Sequence, residues 1–355
     1  MDIGIPREVR PLEGRVALSP DACAVLAQAG HSVTVEQGAG RLSGYSDDEY
    51  RSAGAVIADD AASTYHAAEL VVKVKEPIAD ELGLLRSEQR LFCFLHLAPN
   101  PELTRQLQTI GLTAIGFETV QNDSGELPLL APMSDIAGRI ATQVGTHLLH
   151  TPQGGKGLLL GGLPGVPRGH VVVIGAGTAG GNAALMAAAI GAQVTAFDTR
   201  RERLAAMRQL GNNVTALYPY PDRLREAVAS ADLLIGAALV TGGRTPHIVN
   251  RDQVASMQAG SVIVDISVDQ GGCIETTRPT SYAAPTYIEE DVVHFCVTNM
   301  PGAVPRSATQ AMSSALVPFV LQLAAPDWQQ HEPLRRAINV QTGKVVHPAL
   351  QAALD

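Results

Sequence analysis

The chain has 355 residues, of which 46% are apolar and 17% charged, and a formal net charge of −9. Its length accommodates two domains, and its apolar share excludes an intrinsically disordered chain. The acidic balance provides no basic face for nucleic acid, and no apolar run is long enough to span a membrane.

Taken in order, residues 1–130 read as an α/β domain. A strand at 2–5 leads to Ser19-Pro20-Asp21, a helix start with serine as N-cap and proline at the first position, and this helix stops at Gly30. Strands follow at 32–36, 70–74, 91–95 and 112–116, with helical stretches near 80–85 and 101–108. Helical spacing over 130–150 predicts a long connecting helix, and 154–167 is a linker rich in glycine and proline. The α/β rhythm then resumes, with strands at 171–174, 193–197, 213–217, 232–236 and 261–265. A second long helix is predicted at 307–325, and the polar tail at 327–355 is expected to pack back on the first domain. The predicted fold is therefore α/β, with two Rossmann-like, doubly wound parallel-sheet domains and the active site in the cleft between them. Residues 1–130 plus 305–355 are expected to form the substrate domain, and 131–304 an inserted dinucleotide-binding domain.

Val171-Val172-Val173-Ile174-Gly175-Ala176-Gly177-Thr178-Ala179-Gly180 carries the most specific local signal. A β-branched run meets three glycines and an alanine-rich helix, and Asp198 ends the next strand 18 residues after Gly180. Gly175 permits the tight turn, Gly177 lets backbone approach a pyrophosphate, and Gly180 lets the helix lie close to the sheet. The helix start offers N–H groups and a positive dipole end to phosphate. Asp198 is placed to accept hydrogen bonds from ribose hydroxyls, which favours NAD over NADP. Arg200 and Arg201 follow directly and soften that preference, because arginine accommodates a 2′-phosphate.

Polar residues just past strand ends are the candidates for chemistry. Lys75 ends Leu70-Val71-Val72-Lys73-Val74-Lys75, where period two puts Lys73 and Lys75 on one face. It either meets a substrate carboxylate or carbonyl, or is an ordinary strand-end lysine. His96 follows the 91–95 strand and suits proton transfer near neutrality, or is a histidine bonded to backbone. Asp269 precedes Gln270-Gly271-Gly272, either reaching the nicotinamide side of a cleft or capping the turn, while its competitor Asp265 reads as a mid-strand structural residue. Arg15, in the loop after the first strand, offers a two-pronged donor to a carboxylate.

The N-terminal Met1-Asp2-Ile3-Gly4-Ile5-Pro6 has no basic stretch before an apolar one, so no secretory signal is predicted. Cys23, Cys93, Cys273 and Cys296 form no CxxC pair or Cys/His cluster, which predicts reduced, mostly buried thiols in a cytoplasmic protein and no structural zinc.

Over nearly its whole length the chain resembles the alanine dehydrogenase family, whose fold is shared with the NAD-binding subunit of proton-translocating transhydrogenase. The resemblance rests on Gly4-Ile5-Pro6-Arg7-Glu8 with Arg15-Val16-Ala17-Leu18, on Lys73-Val74-Lys75-Glu76-Pro77, and on Leu95-His96-Leu97-Ala98. It continues through Leu129-Leu130-Ala131-Pro132-Met133-Ser134, Ala137-Gly138-Arg139, Asp269-Gln270-Gly271-Gly272, and Thr298-Asn299-Met300-Pro301-Gly302-Ala303-Val304-Pro305. It implies NAD-dependent, reversible oxidative deamination of L-alanine to pyruvate and ammonium. Arg15 and Lys75 would hold substrate, and His96 and Asp269 would handle protons and water. Ser134, Asp198, Arg203, Leu239, Asn299 and Met300 would line the NAD site together with Gly175, Gly177, Thr178, Ala179 and Gly180, with no metal. The family is usually hexameric, which implies a homo-oligomer, and its partners are small-molecule substrates. One departure is Tyr218-Pro219, near a position where relatives often carry serine. Two alternatives stay open: an opine-type or other small amino-acid enzyme, and an NAD(H)-binding subunit without turnover. Lys75 and His96 together separate the dehydrogenases from the transhydrogenase relatives.

Overall fold

The computed structural model describes residues 1–238 and 245–354. The chain divides into two compact units, Met1–Met133 with Gly302–Asp355, and Ser134–Pro301.

In chain order the first unit contributes β1 (Asp2–Ile5), β2 (Ser32–Glu36), β3 (Val56–Ala58), β4 (Leu70–Val72), β5 (Arg90–Cys93) and β6 (Thr113–Gly116). The second contributes β7 (His170–Ile174), β8 (Gln193–Phe197), β9 (Val214–Leu217), β10 (Leu233–Gly236), β11 (Val262–Asp265), β12 (Thr286–Glu289) and β13 (Val292–Phe295). The chain then returns to the first unit with β14 (Ile338–Gln341) and β15 (Lys344–Val345).

The sheet of the first unit runs β15-β14-β6-β5-β4-β1-β2-β3. Pairing from β3 to β6 is parallel, whereas β14 joins β6 antiparallel and β15 joins β14 antiparallel. The apolar strands are covered by helices whose ends follow local chemistry. Ser19 caps Pro20–Gln28 by accepting from the Ala22 N–H. Asn100 caps Pro101–Ile110, which ends at Gly111 with φ of +83°. Leu91, Leu103, Leu107 and Leu112 pack together with Val340 of β14, so the chain's final segment shares this core.

The second unit's sheet runs β12-β13-β11-β10-β7-β8-β9, parallel except for the β12–β13 hairpin. Val171 to Val173 are fully buried, as a parallel strand covered on both faces requires. The long helix Ala131–Leu148 packs on Thr178–Ile190 at Gly138, where a Cβ would stand 2.0 Å from the Ala179 carbonyl oxygen.

Several expected strands are shorter than their apolar runs. The strands in the runs at 70–74 and 91–95 end at Val72 and Cys93, followed by two last bonds between the runs, from Lys73 N–H to the Phe92 carbonyl at 3.2 Å and from Phe94 N–H to the Val74 carbonyl at 3.0 Å. Carboxylates take over there as acceptors. Glu8 receives the Val74 and Lys75 N–H groups at 2.6 and 3.3 Å, and Glu118 receives those of Leu95 and His96 at 3.1 and 2.7 Å. Asp265, expected mid-strand, is the last residue of β11. Its Oδ1 accepts from the Ser267 N–H at 2.9 Å and starts the 3-10 turn Ile266–Gln270. The four cysteines are buried and unbridged. Among the described residues no helix is long and apolar enough to cross a membrane, and no group of His, Cys, Asp and Glu could hold a metal ion.

Candidate functional site

In the first unit, β1, β4 and β5 lie side by side and parallel. The loops after their carboxyl ends carry Arg15, Lys75 and His96 respectively. Because Val72 pairs with Phe92, the loops that carry Lys75 and His96 begin side by side at the same end of the sheet.

Arg15 is buried, and the Glu13 carboxylate meets it through Nε–Oε1 at 2.7 Å and NH2–Oε2 at 2.5 Å. Its NH1 approaches the Met133 sulfur at 3.2 Å. The loop is stitched to the helix Pro305–Ala324, since Val16 N–H donates to Thr309 Oγ1 at 3.1 Å and Ser19 N–H to Ser313 Oγ at 2.8 Å. Thus part of the two-pronged donor expected of Arg15 already faces a protein carboxylate.

Lys73 and Lys75 do not share one environment, because the strand period ends at Val72. Lys73 is fully buried, with Nζ 2.7 Å from Glu81 and 3.7 Å from Glu8. Burial pushes the Glu8 carboxyl up to about 7, with Lys73 pulling the other way. Lys75 is half-buried, and among the described residues its ammonium makes no ion pair.

His96 occupies the left-handed region at φ +47°, which is strained for a side-chain-bearing residue. Two N–H groups held by Glu118 pin this backbone, and the ring stacks on Phe94 with centroids 5.8 Å apart. The side chain is 45% exposed, and its Nδ1 stands 3.7 Å from Glu76 Oε2. Desolvation acts to lower the imidazole pKa, but Glu76 and Glu118 outweigh it and the net shift is upward.

In the second unit, Gly175 adopts φ +94° and Gly177 is the N-cap of Thr178–Ile190 without a side-chain cap. A Cβ on Gly180 would lie 1.8 Å from the Gly175 carbonyl oxygen, so helix and turn meet at a distance only glycine allows. Asp198 is buried at the end of the neighbouring strand. Its Oδ2 accepts from Ala176 N–H at 2.8 Å and Arg203 NH1 at 3.3 Å, and its Oδ1 from Arg200 N–H at 2.9 Å. The carboxylate therefore fastens the glycine turn itself, and Oδ1 retains acceptor capacity for a hydroxyl. Arg203 also borders Gly177, 3.4 Å from where a Cβ would stand.

Asp269 is exposed on the turn Ile266–Gln270, ahead of Gly271 and Gly272 with φ of +96° and +74°. Asn299 is half-buried with φ +60°, and Met300 is buried, its carbonyl accepting from Tyr282 Oη at 2.8 Å. Ser134 is half-buried on the helix Ala131–Leu148. Leu239 lies outside the described residues. Sequence reasoning missed Glu8, Glu13, Glu76, Phe94 and Glu118, all of which touch the candidates. Glu8 and Glu76 stood inside the quoted motifs, yet nothing local marked them as partners.

Residues 4–137 match the family described as Alanine dehydrogenase/PNT, N-terminal domain, and residues 141–348 match Alanine dehydrogenase/PNT, C-terminal domain. The alanine dehydrogenase of Halomonas elongata is 45% identical over 359 residues, covering 99% of this chain and 96% of the relative. A solved L-alanine dehydrogenase superposes with a TM-score of 0.96 at 48% identity, over 100% of this chain and 99% of that one. A transhydrogenase structure from Sinorhizobium meliloti superposes with a TM-score of 0.86 at 28% identity, over 98% of this chain and 100% of that one. The chain belongs to the alanine dehydrogenase/PNT family.

Proposed function

We propose that the protein is an NAD-dependent L-alanine dehydrogenase that interconverts L-alanine with pyruvate and ammonium. The observation that carries this reading is the placing of Arg15, Lys75 and His96 on the carboxyl-end loops of three adjacent parallel strands. Two cations suited to a small carboxylate stand with one imidazole suited to moving a proton. The dinucleotide also fits the second unit. The N-terminus of Thr178–Ile190 has no side-chain cap, so its first N–H groups are available to phosphate. Gly175, Gly177, Thr178, Ala179 and Gly180 would hold the pyrophosphate. Asp198 and Arg203 would hold the adenosine, and Ser134, Asn299 and Met300 would line the rest of the site. NAD held there would supply the acceptor for a hydride from the alanine Cα.

Arg15 and Lys75 orient the substrate carboxylate and polarise the carbonyl end. They do so in a partly desolvated setting where fixed charge acts strongly. His96 takes a proton from the substrate ammonium and passes it to solvent. It then takes one from the water that adds to the iminium carbon and delivers it to the nitrogen as the carbon–nitrogen bond breaks and ammonia leaves. The reverse direction retraces these transfers. Asp269 shares the handling of protons and water. The proposal extends to a cytoplasmic homohexamer. Four buried, unbridged cysteines suit a reducing compartment, and light scattering on the eluted protein gives the subunit number.

The test is NADH absorbance on mixing the protein with NAD and L-alanine at mildly alkaline pH. Parallel reactions hold NADP, D-alanine, glycine, serine or lysine. An L-alanine-dependent rise with NAD, reversed by pyruvate plus ammonium, is expected. Absence of turnover with every amino acid, while NADH still binds, overturns the proposal and leaves a nucleotide-binding subunit.

A further inference from the structure

Glu76 directly follows Lys75, and its carboxylate is largely buried. One oxygen, Oε1, pairs with Arg10 NH2 at 2.8 Å. The other, Oε2, is buried and has no hydrogen-bond partner among the described residues. Leaving a carboxylate oxygen without a donor is costly, and such atoms are rare in folded proteins. His96 Nδ1 stands 3.7 Å from this oxygen, within ion-pair range and just beyond a hydrogen bond. Glu118 engages the backbone N–H groups of Leu95 and His96, so it fixes where the residue sits without selecting a ring nitrogen. Phe94 stacks on the ring face and sets its plane. Glu76 is the group placed to choose the tautomer.

We propose that Glu76 is the positioning residue of His96, with Oε2 accepting the Nδ1–H hydrogen bond so that Nε2 is left to exchange protons with substrate. The carboxylate keeps Nδ1 protonated in the neutral ring, which makes Nε2 the base, and it stabilises the imidazolium once Nε2 is protonated. This rests on the reading of His96 as the proton-handling group. The charges facing the imidazole are Glu76 and Glu118, which favour its protonation, and Lys75, which opposes it. Arg10 sits behind Glu76 and competes for its charge. Burial would raise the Glu76 carboxyl, but His96 and Arg10 outweigh it and hold it down at about 2, so Glu76 is an anion throughout the working range.

The test measures the protonation midpoint of His96 in the whole assembled protein by mass-spectrometric exchange at the imidazole C2 hydrogen, alongside the pH profile of kcat/KM for L-alanine. Glu76→Gln is expected to move the His96 midpoint to lower pH and the acidic limb of the profile with it. It should also lower kcat about ten- to a hundred-fold, by analogy with the carboxylates that orient metal-ligating histidines. Arg10→Gln is expected to move the midpoint to higher pH, because it removes the competing cation. A role confined to holding the loop together would not produce shifts of opposite sign. An unmoved His96 midpoint in Glu76→Gln overturns the proposal. Should that variant fail to fold, an unmoved or lowered midpoint in Arg10→Gln overturns it instead. A midpoint that moves while the kinetic limb stays in place supports the Glu76–His96 pair and overturns the assignment of His96 to proton transfer.

Discussion

The buried Glu13 carboxylate grips the Arg15 guanidinium at two points, Nε to Oε1 at 2.7 Å and NH2 to Oε2 at 2.5 Å. One edge of the arginine fork is thereby spoken for, and the cation is fixed in direction before any substrate arrives. Replacing Arg15 with lysine keeps the charge and loses this planar geometry. Arg15→Lys is expected to raise KM for both L-alanine and pyruvate about ten-fold or more, the worth of one charge-assisted hydrogen bond, with NADH affinity unchanged. Steady-state kinetics and NADH titration check this, and an unchanged KM contradicts the role. Glu13→Gln is expected to cost about 3 kcal/mol of stability in urea unfolding, because it strips a buried cation of its carboxylate.

His96→Ala and Asp269→Asn are each expected to lower kcat by roughly 100-fold or more, the scale of lost general acid–base catalysis. NADH fluorescence titration should show binding retained in both. Near-normal turnover in either variant removes that residue from the mechanism.

Glu8 makes stability depend on pH. Its carboxyl is raised from 4.5 to about 7 by burial, against the pull of Lys73. Between those values the folded chain holds a proton that the unfolded chain has released. The stabilising contribution is complete below pH 4.5 and is lost as pH rises through 7. The neutral variant Glu8→Gln lacks this loss, so its Tm relative to the parent is expected to climb from pH 5 to pH 8. A Tm difference that stays constant over that range contradicts the assignment.

Asp198→Ala is expected to lower the ratio of kcat/KM for NAD over that for NADP, since a carboxylate beside the ribose repels a 2′-phosphate. It should also lower Tm, because the carboxylate fastens Ala176 N–H and Arg200 N–H. A shifted Tm with an unchanged ratio makes Asp198 a structural brace alone.

The nucleotide turn was legible because its determinants are consecutive. An apolar strand, three glycines and an alanine-rich helix lie within 171–190, and each acts on its immediate neighbours. The same holds for the helix start at Ser19-Pro20. The carboxylates around Arg15, Lys75 and His96 were illegible for the opposite reason. Glu118 and His96 are 22 residues apart, and Glu8 and Val74 are 66 apart, so only the assembled sheet brings them together. Apolar patterning therefore overran the strands at 70–74 and 91–95. It records burial, whereas the ladder ends where a carboxylate captures the N–H groups. β3 and β12 to β15 were missed: β3, β12 and β15 are short with partly exposed positions, and β13 and β14, though mostly buried, are only four residues long, so none carries much periodicity.

The pairing of β14 with β6 has a consequence for biosynthesis. Residues 134–301 form one uninterrupted stretch and can fold as soon as they leave the ribosome. The first unit cannot finish in that order. Its Arg15 loop waits for Thr309, its Ser19 helix start for Ser313, and the edge of β6 for Ile338 and Val340. For the time needed to translate some two hundred residues, β6 presents an open strand edge to its surroundings. Nascent chains stalled once residue 301 has cleared the exit tunnel should therefore pair a protease-resistant second unit with a chaperone-bound first one, and release of the tail should convert the first to the resistant form.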